Sequence, residues 1–512
     1  LRVENSPANW LHDPSQVSSA QPSMVSLVTQ KATNRARRDM AFIFRQLVRF
    51  ARMTTSERKS HYDRNPMDVF RQLPHPEGRG HIPVGDLGWA RMGALADLAL
   101  DLDRPLALRI SRQLARSAVS DSFVRLVLQE ERPIDQETAA LLLEDALNSL
   151  RKSLVVTEHH IPCVLFSDGE AEEFMVGPVT FTRRRRFFNE QRSALRRSVD
   201  AGTRNHVDLV STAVEKGFPR ERAYTRDESR QLIRHLHAGA IATYRRYPWV
   251  ASVHVTDCEE EFSRQRAAEA VEMALHVVRV LLGSEPTRKL RVAWAKSDAL
   301  QTAHLFADAD GVIHASVGRS AMGAVGTKNW YEALRQSNYY LEVLGSAVRS
   351  IVNPIDIHHL HQRLLDAIRW FGDAATDSNP SSSIAKYVSA IERLFFGTFQ
   401  RDRTKHFARR ISGILISFEC DDDVREYEQV LGVYRIRSEL LHGEISPIDT
   451  SVHEAAHRAA RLSRLCILCA AQLYPLLIRV FGSITPSTLE EVMERTTIEG
   501  LNWLEDCKEG EG

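Results

Sequence analysis

Near the end of the chain lie the residues Tyr434-Arg435-Ile436-Arg437-Ser438-Glu439-Leu440-Leu441-His442-Gly443. Apolar residues in and before them recur at steps of three and four, which predicts one stripe of a helix: Val430, Val433, Tyr434 and Leu441. Arg437 falls on the same stripe, whereas an ordinary solvated arginine would lie on the polar face. Gly443 predicts the end of the helix and places His442 in its last turn, where the helix dipole favours an imidazolium.

Arg437 and His442 are separated by a five-residue step, which turns two side chains of a regular α-helix about 140° apart. The two side chains can meet only if the helix frays at His442 or if a second copy of the helix faces the first. In the second arrangement the apolar stripe is a candidate pairing surface, although the same stripe fits equally well inside a helical bundle. The spacing leaves both arrangements open.

Helices dominate the chain from about residue 330 onward. The serines at 381–383 are candidate caps of a helix whose buried stripe is predicted at Ile384, Val388, Ile391 and Phe395. Glu392 lies beside that stripe and is a second charge on an apolar face. Further helices are predicted at about 404–416, at about 451–480 and after Pro486. Several helices with short connections predict a bundle.

The sequence around Arg437 and His442 resembles the active motif of the HEPN superfamily of ribonucleases. In that motif an arginine is followed, after four to six residues, by a histidine at the end of the third helix of a bundle. The order Tyr-x-x-Arg-Ser-x-x-x-His-Gly is most similar to the Apea-like branch, many of whose members belong to bacterial anti-phage systems. The resemblance covers roughly residues 355–480, about a quarter of the chain.

The resemblance implies metal-independent cleavage of RNA, with no cofactor. His442 would act as general base on the ribose 2′-hydroxyl or as general acid on the leaving 5′-oxygen. Arg437 would stabilise the pentacoordinate phosphate through charge-assisted hydrogen bonds. Tyr434 would stack or hydrogen-bond in the cleft, and Glu392 would orient Arg437. Many HEPN enzymes carry Asn, Asp or His where this chain has Ser438, and the Apea-like branch tolerates serine.

The resemblance also implies a partner and a biological role. HEPN families place two motifs across a two-fold axis, so a homodimer through the C-terminal domain is expected. The expected role is a toxin-like or anti-phage effector that cleaves RNA, arrests growth and answers a phage-derived or regulatory trigger. The alternative within the superfamily is a non-catalytic protein that dimerises or binds RNA.

A second motif indicates a different class of enzyme. His453-Glu454-Ala455-Ala456-His457 has the H-E-x-x-H spacing of zinc peptidases, which places both histidines on one face of a helix. With 20 histidines in the chain such a string also arises by chance. Arg458 follows the second histidine, where zinc peptidases usually have an uncharged residue, and a third ligand is suggested only by default at Glu490 or Glu491. The sequence therefore favours no metal site, and the peptidase remains an alternative.

Composition limits the class of protein. A hydrophobic content of 43% and a charged content of 26% are those of an ordinary soluble protein. The formal net charge of +1 does not indicate nucleic-acid binding. Any indication of such binding has to come from local basic patches. The six cysteines are scattered, the N-terminus lacks a signal-peptide pattern, and the apolar stretch 465–478 is too short to span a bilayer. We therefore expect a cytoplasmic protein without a membrane segment.

The predicted fold class is mainly α, with a mixed α/β region in the middle. Residues 1–30 are rich in Ser, Pro, Gln and Asn and are predicted to be a disordered tail. The remaining segments are a helical N-terminal module (31–152), a mixed α/β sensor or recognition region (153–330), an HEPN-like helical bundle (331–485), and a C-terminal helix and tail (486–512). In the N-terminal module, helices are predicted at about 86–117 and 136–152.

Two basic segments are candidates for RNA contact. Ile161–Phe166 and Phe174–Phe181 predict a β-hairpin, and Arg183, Arg184, Arg185 and Arg186 follow it directly, ahead of two phenylalanines. Arginines beside aromatic residues are typical of RNA-backbone binding and equally of a strand edge protected against aggregation. Earlier in the chain, a predicted helix carries Arg45, Arg49 and Arg52 on a face apart from its apolar stripe. That face either contacts RNA or is simply solvated.

Overall fold

The structure is a computed structural model. It describes residues 30–77, 80–167, 171–215, 225–293, 301–307, 313–319, 329–353, 358–398, 403–420 and 422–504. These residues are mostly helical, which confirms a mainly α protein with a small sheet region. The chain divides into two compact units, Leu1–Ser153 and Leu154–Gly512. The predicted tail, apart from Gln30, lies outside the described residues.

Unit 1 is a small helical domain. Its elements are α1 (Gln30–Arg52), α2 (Thr55–Arg64), a 3₁₀ turn (Pro66–Phe70), the short pair β1 (Gln72–Pro74) and β2 (His81–Pro83), α3 (Gly85–Leu102), α4 (Arg104–Ala107), α5 (Arg112–Phe123), a π-helical turn (Val124–Gln129) and α6 (Gln136–Lys152). α1 packs on α3 and α6. The helical segment predicted at 86–117 is not one continuous helix: α3 ends at Leu102, and the side chain of Asp103 caps a new turn at the backbone N–H of Leu106.

Unit 2 begins with an antiparallel sheet in the order β4-β5-β6-β3-β7. Its strands are β3 (Val155–Val164), β4 (Glu173–Val176), β5 (Val179–Arg183), β6 (Trp249–Cys258) and β7 (Arg291–Val292), while β8 (Gln301–Ala307) and β9 (Ile313–Arg319) form a separate hairpin. The hairpin predicted between 161–166 and 174–181 is wrong, because β3 pairs with β6 and β7. The real hairpin joins β4 to β5 through Gly177 and Pro178. Pro178 cannot donate to a strand ladder, which is why the apparent strand 174–181 is two strands.

Helices complete unit 2. They are α7 (Arg184–Glu190), α8 (Arg192–Glu215), α9 (Arg226–Tyr244), α10 (Glu260–Leu282), α11 (Ser284–Thr287), α12 (Trp330–Gln336), α13 (Asn338–Val352), α14 (His359–Thr376), α15 (Pro380–Phe395), α16 (Arg403–Ser417), α17 (Asp422–Arg425), α18 (Tyr427–His442), α19 (Thr450–Phe481) and α20 (Pro486–Glu499). The stripe predicted on α15 is buried. Its cap is Asn379, whose side chain accepts from the N–H groups of Ser381 and Ser382.

The sheet and the bundle share one hydrophobic core, which runs from Ile161 to Leu504. α10 makes this continuity, because it packs on β3 and β6 on one side and on α13 and α14 on the other. The second half of α10, Met273 to Leu281, is buried on every side, as a segment enclosed between a sheet and a bundle has to be. The predicted boundary near residue 330 therefore does not separate two compact units.

α19 is the one helix within the described ranges that is long and apolar enough to cross a membrane, judged by length and composition alone. In this fold it is a core helix of unit 2. It packs on α14 and α15 and buries Cys466, Ala470 and Leu473 there. Burial in the bundle accounts for its apolar sequence.

Two glycines bring the sheet and the bundle into direct backbone contact. Gly177, in the β4–β5 turn, has a φ of +57°, and it lies against Gly345 of α13. A Cβ atom added at Gly345 would lie 2.6 Å from the backbone nitrogen of Gly177. Two backbones can approach so closely only where neither residue carries a side chain.

We expect Gly345→Ala to lower the free energy of unfolding by about 1–3 kcal/mol, because a methyl group has to be forced into a packed backbone contact. Gly432→Ala is the matched control within α18, where an added Cβ meets nothing within 4 Å. The control should gain up to about 1 kcal/mol from helix propensity alone. Guanidinium unfolding followed by circular dichroism measures the free energy of unfolding of both variants. Equal gains in the two variants would show that the contact between the glycines is absent.

Candidate active site

The motif helix α18 stays regular up to His442. Gly443 follows in the left-handed conformation, with φ +74° and ψ +20°. Its N–H donates to the Leu440 carbonyl at 3.3 Å, and the N–H of Glu444 donates to the Glu439 carbonyl at 2.8 Å. This is the Schellman arrangement of a helix end. The predicted stop at Gly443 is confirmed, and the helix does not fray at His442.

The apolar stripe of α18 is divided between the core and the surface. Val430, Val433 and Tyr434 are buried in the bundle, whereas Leu441 is 59% exposed. The three buried residues therefore cannot form the pairing surface that the sequence left open. Of the stripe, only Leu441 faces solvent, in the last turn beside the exposed His442.

Arg437 is held in a half-buried position with most of its hydrogen-bonding capacity unused. Its side chain is 25% exposed, and its Nη2 lies 3.9 Å from Oε2 of Glu392. Its Nε is buried without a hydrogen-bond partner. The guanidinium carbon lies 5.5 Å from the ring centroid of Tyr434. A guanidinium has five N–H donors in a fixed fork, so this one can still take a bidentate anion.

Glu392 is more tightly bound to other groups than to Arg437. Its Oε1 accepts from Arg403 Nε at 2.9 Å and from the Tyr434 hydroxyl at 3.2 Å. Burial, reinforced by the charge of Glu392, raises the pKa of the Tyr434 phenol. Tyr434 is only 3% exposed, so the predicted stacking on substrate is wrong. The tyrosine instead donates a hydrogen bond that fixes Glu392.

Sequence reasoning missed two members of this cluster, Arg403 and Phe407. Arg403 opens α16, where the first turn contains no acidic residue, and Phe407 lies 4.6 Å from Tyr434 between ring centroids. A cation at a helix N-terminus opposes the helix dipole. That mismatch was a usable signal that Arg403 has an acidic neighbour, although sequence alone does not identify Glu392 as that neighbour.

Three helices fix the end of α15 and hence the position of Glu392. The carbonyls of its last turn accept from Tyr474 of α19 at 2.6 Å (Leu394), from Arg410 of α16 at 3.0 Å (Phe395) and from Arg363 of α14 (Phe396). Burial raises the pKa of Tyr474 to about 12. Arg410, itself fully buried, also forms ion pairs with Glu490 at 2.7 Å and Glu494 at 3.2 Å of α20.

We expect Arg410→Met to lower the free energy of unfolding by about 3–5 kcal/mol, since it removes a fully buried cation from the half-buried Glu490 and a donor from the Phe395 carbonyl. The matched control is Arg409→Met. Arg409 is 59% exposed and lies 3.5 Å from Glu494, so its loss should cost less than about 1 kcal/mol. Chemical unfolding of both variants measures the difference. Equal losses would show that the cap of α15 does not depend on Arg410.

His442 and Ser438 make no side-chain contacts of note. His442 is exposed, Ser438 is half-buried, and neither side chain forms a hydrogen bond or ion pair with any residue that the structure describes. Because α18 remains helical through His442, the five-residue step leaves His442 and Arg437 on different sides of the helix. One chain therefore supplies the arginine and the histidine without bringing them together.

The arginine run after β5 is mostly engaged within the protein. Arg183 donates to the carbonyls of Ala171 at 3.1 Å and Phe166 at 3.2 Å, and its guanidinium lies 4.3 Å from the Trp249 ring centroid. Arg184 donates to the carbonyls of Arg245 and Tyr247.

The last two arginines of the run differ from each other. Arg186 pairs with Glu190 at 2.7 Å and Glu173 at 3.4 Å, and the hydrogen bond that its guanidinium donates to Glu190 raises the pKa of Arg186. Arg185 is exposed and forms no hydrogen bond or ion pair with the described residues. The other three arginines are thus bonded to carbonyls and carboxylates of the protein itself. The interpretation of the run as one RNA-binding patch is not supported, because only Arg185 is uncommitted.

The H-E-x-x-H motif lies on an exposed face of α19. His453 and His457 both face solvent, and the nearest carboxylate is Glu285, 3.7 Å from Nδ1 of His457. Glu490, one default third ligand, is paired with Arg410 instead. Within the described ranges no group of three His, Cys, Asp or Glu side chains has a geometry suited to a metal ion.

Comparison with protein-family models, with curated proteins and with solved structures found no match to this chain. A proposal about function therefore has to rest on the site itself.

Proposed function

We propose that this chain is a metal-independent endoribonuclease of the HEPN type, active as a homodimer through the helical bundle. The observation that carries the proposal is the state of Arg437. It is positioned by Glu392 and Tyr434, yet its contact with Glu392 is long and its Nε is unpaired. A buried donor without a partner costs free energy unless a ligand satisfies it. A phosphate oxygen is such a ligand, and the exposed His442 lies five residues further along the same helix.

The proposed reaction is transesterification at phosphorus. The ribose 2′-oxygen attacks the adjacent phosphate and loses its proton to a histidine acting as base. The bond from phosphorus to the 5′-oxygen breaks, and the leaving oxygen takes a proton from a histidine acting as acid. The products are a 2′,3′-cyclic phosphate and a free 5′-hydroxyl. Arg437 donates hydrogen bonds to the phosphate oxygens as their charge increases. Because the nucleophile belongs to the RNA, no metal-activated water is needed.

One copy of α18 keeps its arginine and its histidine apart, and a second copy of the helix can bring such a pair together. A base and an acid are both required, and each chain contributes one histidine in the motif. A two-fold axis near the last turn of α18 would place His442 of one protomer opposite Arg437 of the other. Leu441, exposed beside His442, offers apolar surface for such a pairing.

The proposed role is a growth-arresting RNA nuclease, toxin-like or anti-phage, acting in the cytoplasm. The regulatory part is unit 1, since it is a separate compact unit, whereas the sheet of unit 2 is continuous with the bundle. A phage-derived or regulatory trigger would act through unit 1.

One observation favours the alternative of a non-catalytic RNA-binding protein. α18 is regular through His442, so nothing within one chain assembles an acid–base pair. If a two-fold partner does not supply the missing group, Arg437 can bind phosphate without cleavage following.

We expect purified protein to cleave RNA in excess EDTA and to leave 2′,3′-cyclic phosphate or 3′-phosphate ends. His442→Ala should reduce the rate at least about 100-fold, as loss of a general acid or base does. Arg437→Gln should reduce it by about 100- to 1,000-fold, as loss of a transition-state donor does. Gel electrophoresis of a labelled RNA, with end-group analysis, measures rate and chemistry together.

Each of these variants has a matched control. Arg435→Gln removes an exposed arginine from the same helix, and His453→Ala removes an exposed histidine from α19. Both should cleave RNA at nearly the wild-type rate. Activity that EDTA abolishes, zinc restores and His453→Ala removes would replace the ribonuclease proposal with the peptidase-type zinc site. RNA binding without cleavage under any condition would favour the non-catalytic alternative.

We expect the active species to be a dimer whose site needs both motifs. Wild-type protein mixed with excess His442→Ala and allowed to exchange subunits should lose activity with the square of the wild-type fraction. If one intact motif suffices, activity should instead follow that fraction linearly. Size-exclusion chromatography with light scattering gives the oligomeric state. A monomer that cleaves RNA at the full rate would rule out the shared site.

A further inference from the structure

The exposed face of α1 carries a continuous row of arginines. At alternating steps of three and four residues the row consists of Arg35, Arg38, Phe42, Arg45, Arg49 and Arg52. At 1.5 Å per residue the row is about 25 Å long. The opposite face of the helix buries Ala36, Met40, Ile43 and Leu47 in the core of unit 1. The core stripe therefore fixes which way the arginines point.

The first half of the row borders a groove of about 680 Å³. Arg91 of α3 completes the basic wall, and Asp39 and Phe42 also line the groove. Phe42 is half-buried, and the guanidinium carbons of Arg91 and Arg45 lie 5.4 Å and 5.9 Å from its ring centroid. Cations beside an aromatic ring form a platform on which a flat group can stack.

The arginines of the row are uncommitted. Within the part of unit 1 that the structure describes, none of the five arginines in the row forms an ion pair or hydrogen bond, although Arg45 lies near the Phe42 ring. Asp39, the only acidic residue of α1, is bonded to Arg91 at 3.0 Å. This differs from the run at 183–186, where three guanidinium groups bond to protein groups. A row of unpaired cations produces a positive potential that attracts polyanions.

Asp39 contributes a second, independent feature. It lines the groove although only 4% of the residue is exposed, and within the described residues its buried Oδ2 has no hydrogen-bond partner. A buried carboxylate oxygen without a donor is costly and is normally satisfied. A hydroxyl or amino group of a ligand in the groove would supply that donor.

We propose that the groove and the arginine row of α1 form a binding site for single-stranded RNA. The arginines bind successive phosphates, Phe42 stacks on a base, and Asp39 accepts a hydrogen bond from a ribose hydroxyl or a base amino group. The length of the row favours a strand over a single nucleotide, because one nucleotide would leave Arg49 and Arg52 without ligands. The concave shape favours a strand over a flat membrane. Phosphate recognition rests on the groove alone, whereas the choice of RNA over DNA rests on the proposed function.

The test measures RNA binding to the full chain carrying His442→Ala, which allows binding to be followed without cleavage. The groove variant is Arg38→Gln with Arg45→Gln, and a fluorescent single-stranded RNA is titrated at several salt concentrations. Affinity should fall at least about tenfold, and the slope of log K against log salt should flatten by about 1.4, since each neutralised phosphate contributes about 0.7. Phe42→Leu should weaken binding by about tenfold with an unchanged salt slope, because it removes stacking but no charge.

The matched control is Arg104→Gln with Arg112→Gln, two exposed arginines of unit 1 outside the groove. This control should bind RNA as the parent does. Equal affinity and salt slope in the groove variant and the parent would overturn the proposal. The proposal would also be overturned if the groove variant lost only its binding to phosphatidylserine vesicles. It would likewise be overturned if AMP at the same concentration displaced the RNA.

The same measurements separate this inference from the proposed function. If wild-type protein fails to cleave RNA while the groove variant loses affinity, the RNA site stands and the ribonuclease proposal fails. If wild-type protein cleaves RNA and the groove variant binds as tightly as the parent, cleavage stands and the groove is not an RNA site.

Discussion

The last turn of α15 is the point on which the arrangement of unit 2 depends. The final carbonyls of a helix have no partners within it and carry the negative end of its dipole. Here they are satisfied by long side chains from α14, α16 and α19, all of which reach into the core. Arg410 extends the connection to α20 through two carboxylates. One buried helix end thereby orders four other helices around it.

That arrangement explains why charges lie on an apolar face next to the motif. Glu392 lies in the turn that the cap immobilises, so its carboxylate has little freedom to move. Tyr434 and Arg403 bind one of its oxygens, and Arg437 approaches the other at a longer distance. Glu392 and Tyr434 thus hold Arg437 in place without neutralising its charge. Electrostatic catalysis requires such pre-positioned donors, because they do not have to reorganise when charge develops.

Local features of this molecule were predictable from sequence, and long-range partners were not. The stripe on α15 and the glycine stop of α18 follow from helical periodicity and from the conformational freedom of glycine, so both are confirmed. The pairing of β3 with β6 depends on residues nearly a hundred positions apart, and no turn signal reveals it. The arginines at 183–186 show a related limit. Sequence gives their charge, whereas only the fold shows which carbonyls and carboxylates bind them.

The same distinction applies to the candidate site. Arg437 and His442 were recognisable because their spacing and flanking residues form a local motif. Arg403 was not, since it meets Glu392 only after the chain has turned between α15 and α16.

The Gly177–Gly345 contact and the shared core have one further consequence. Because α10 packs on the sheet and on the bundle, cutting the chain between them would expose residues that are now buried. The bundle is therefore not expected to fold as a free-standing module without the strands that cover α10.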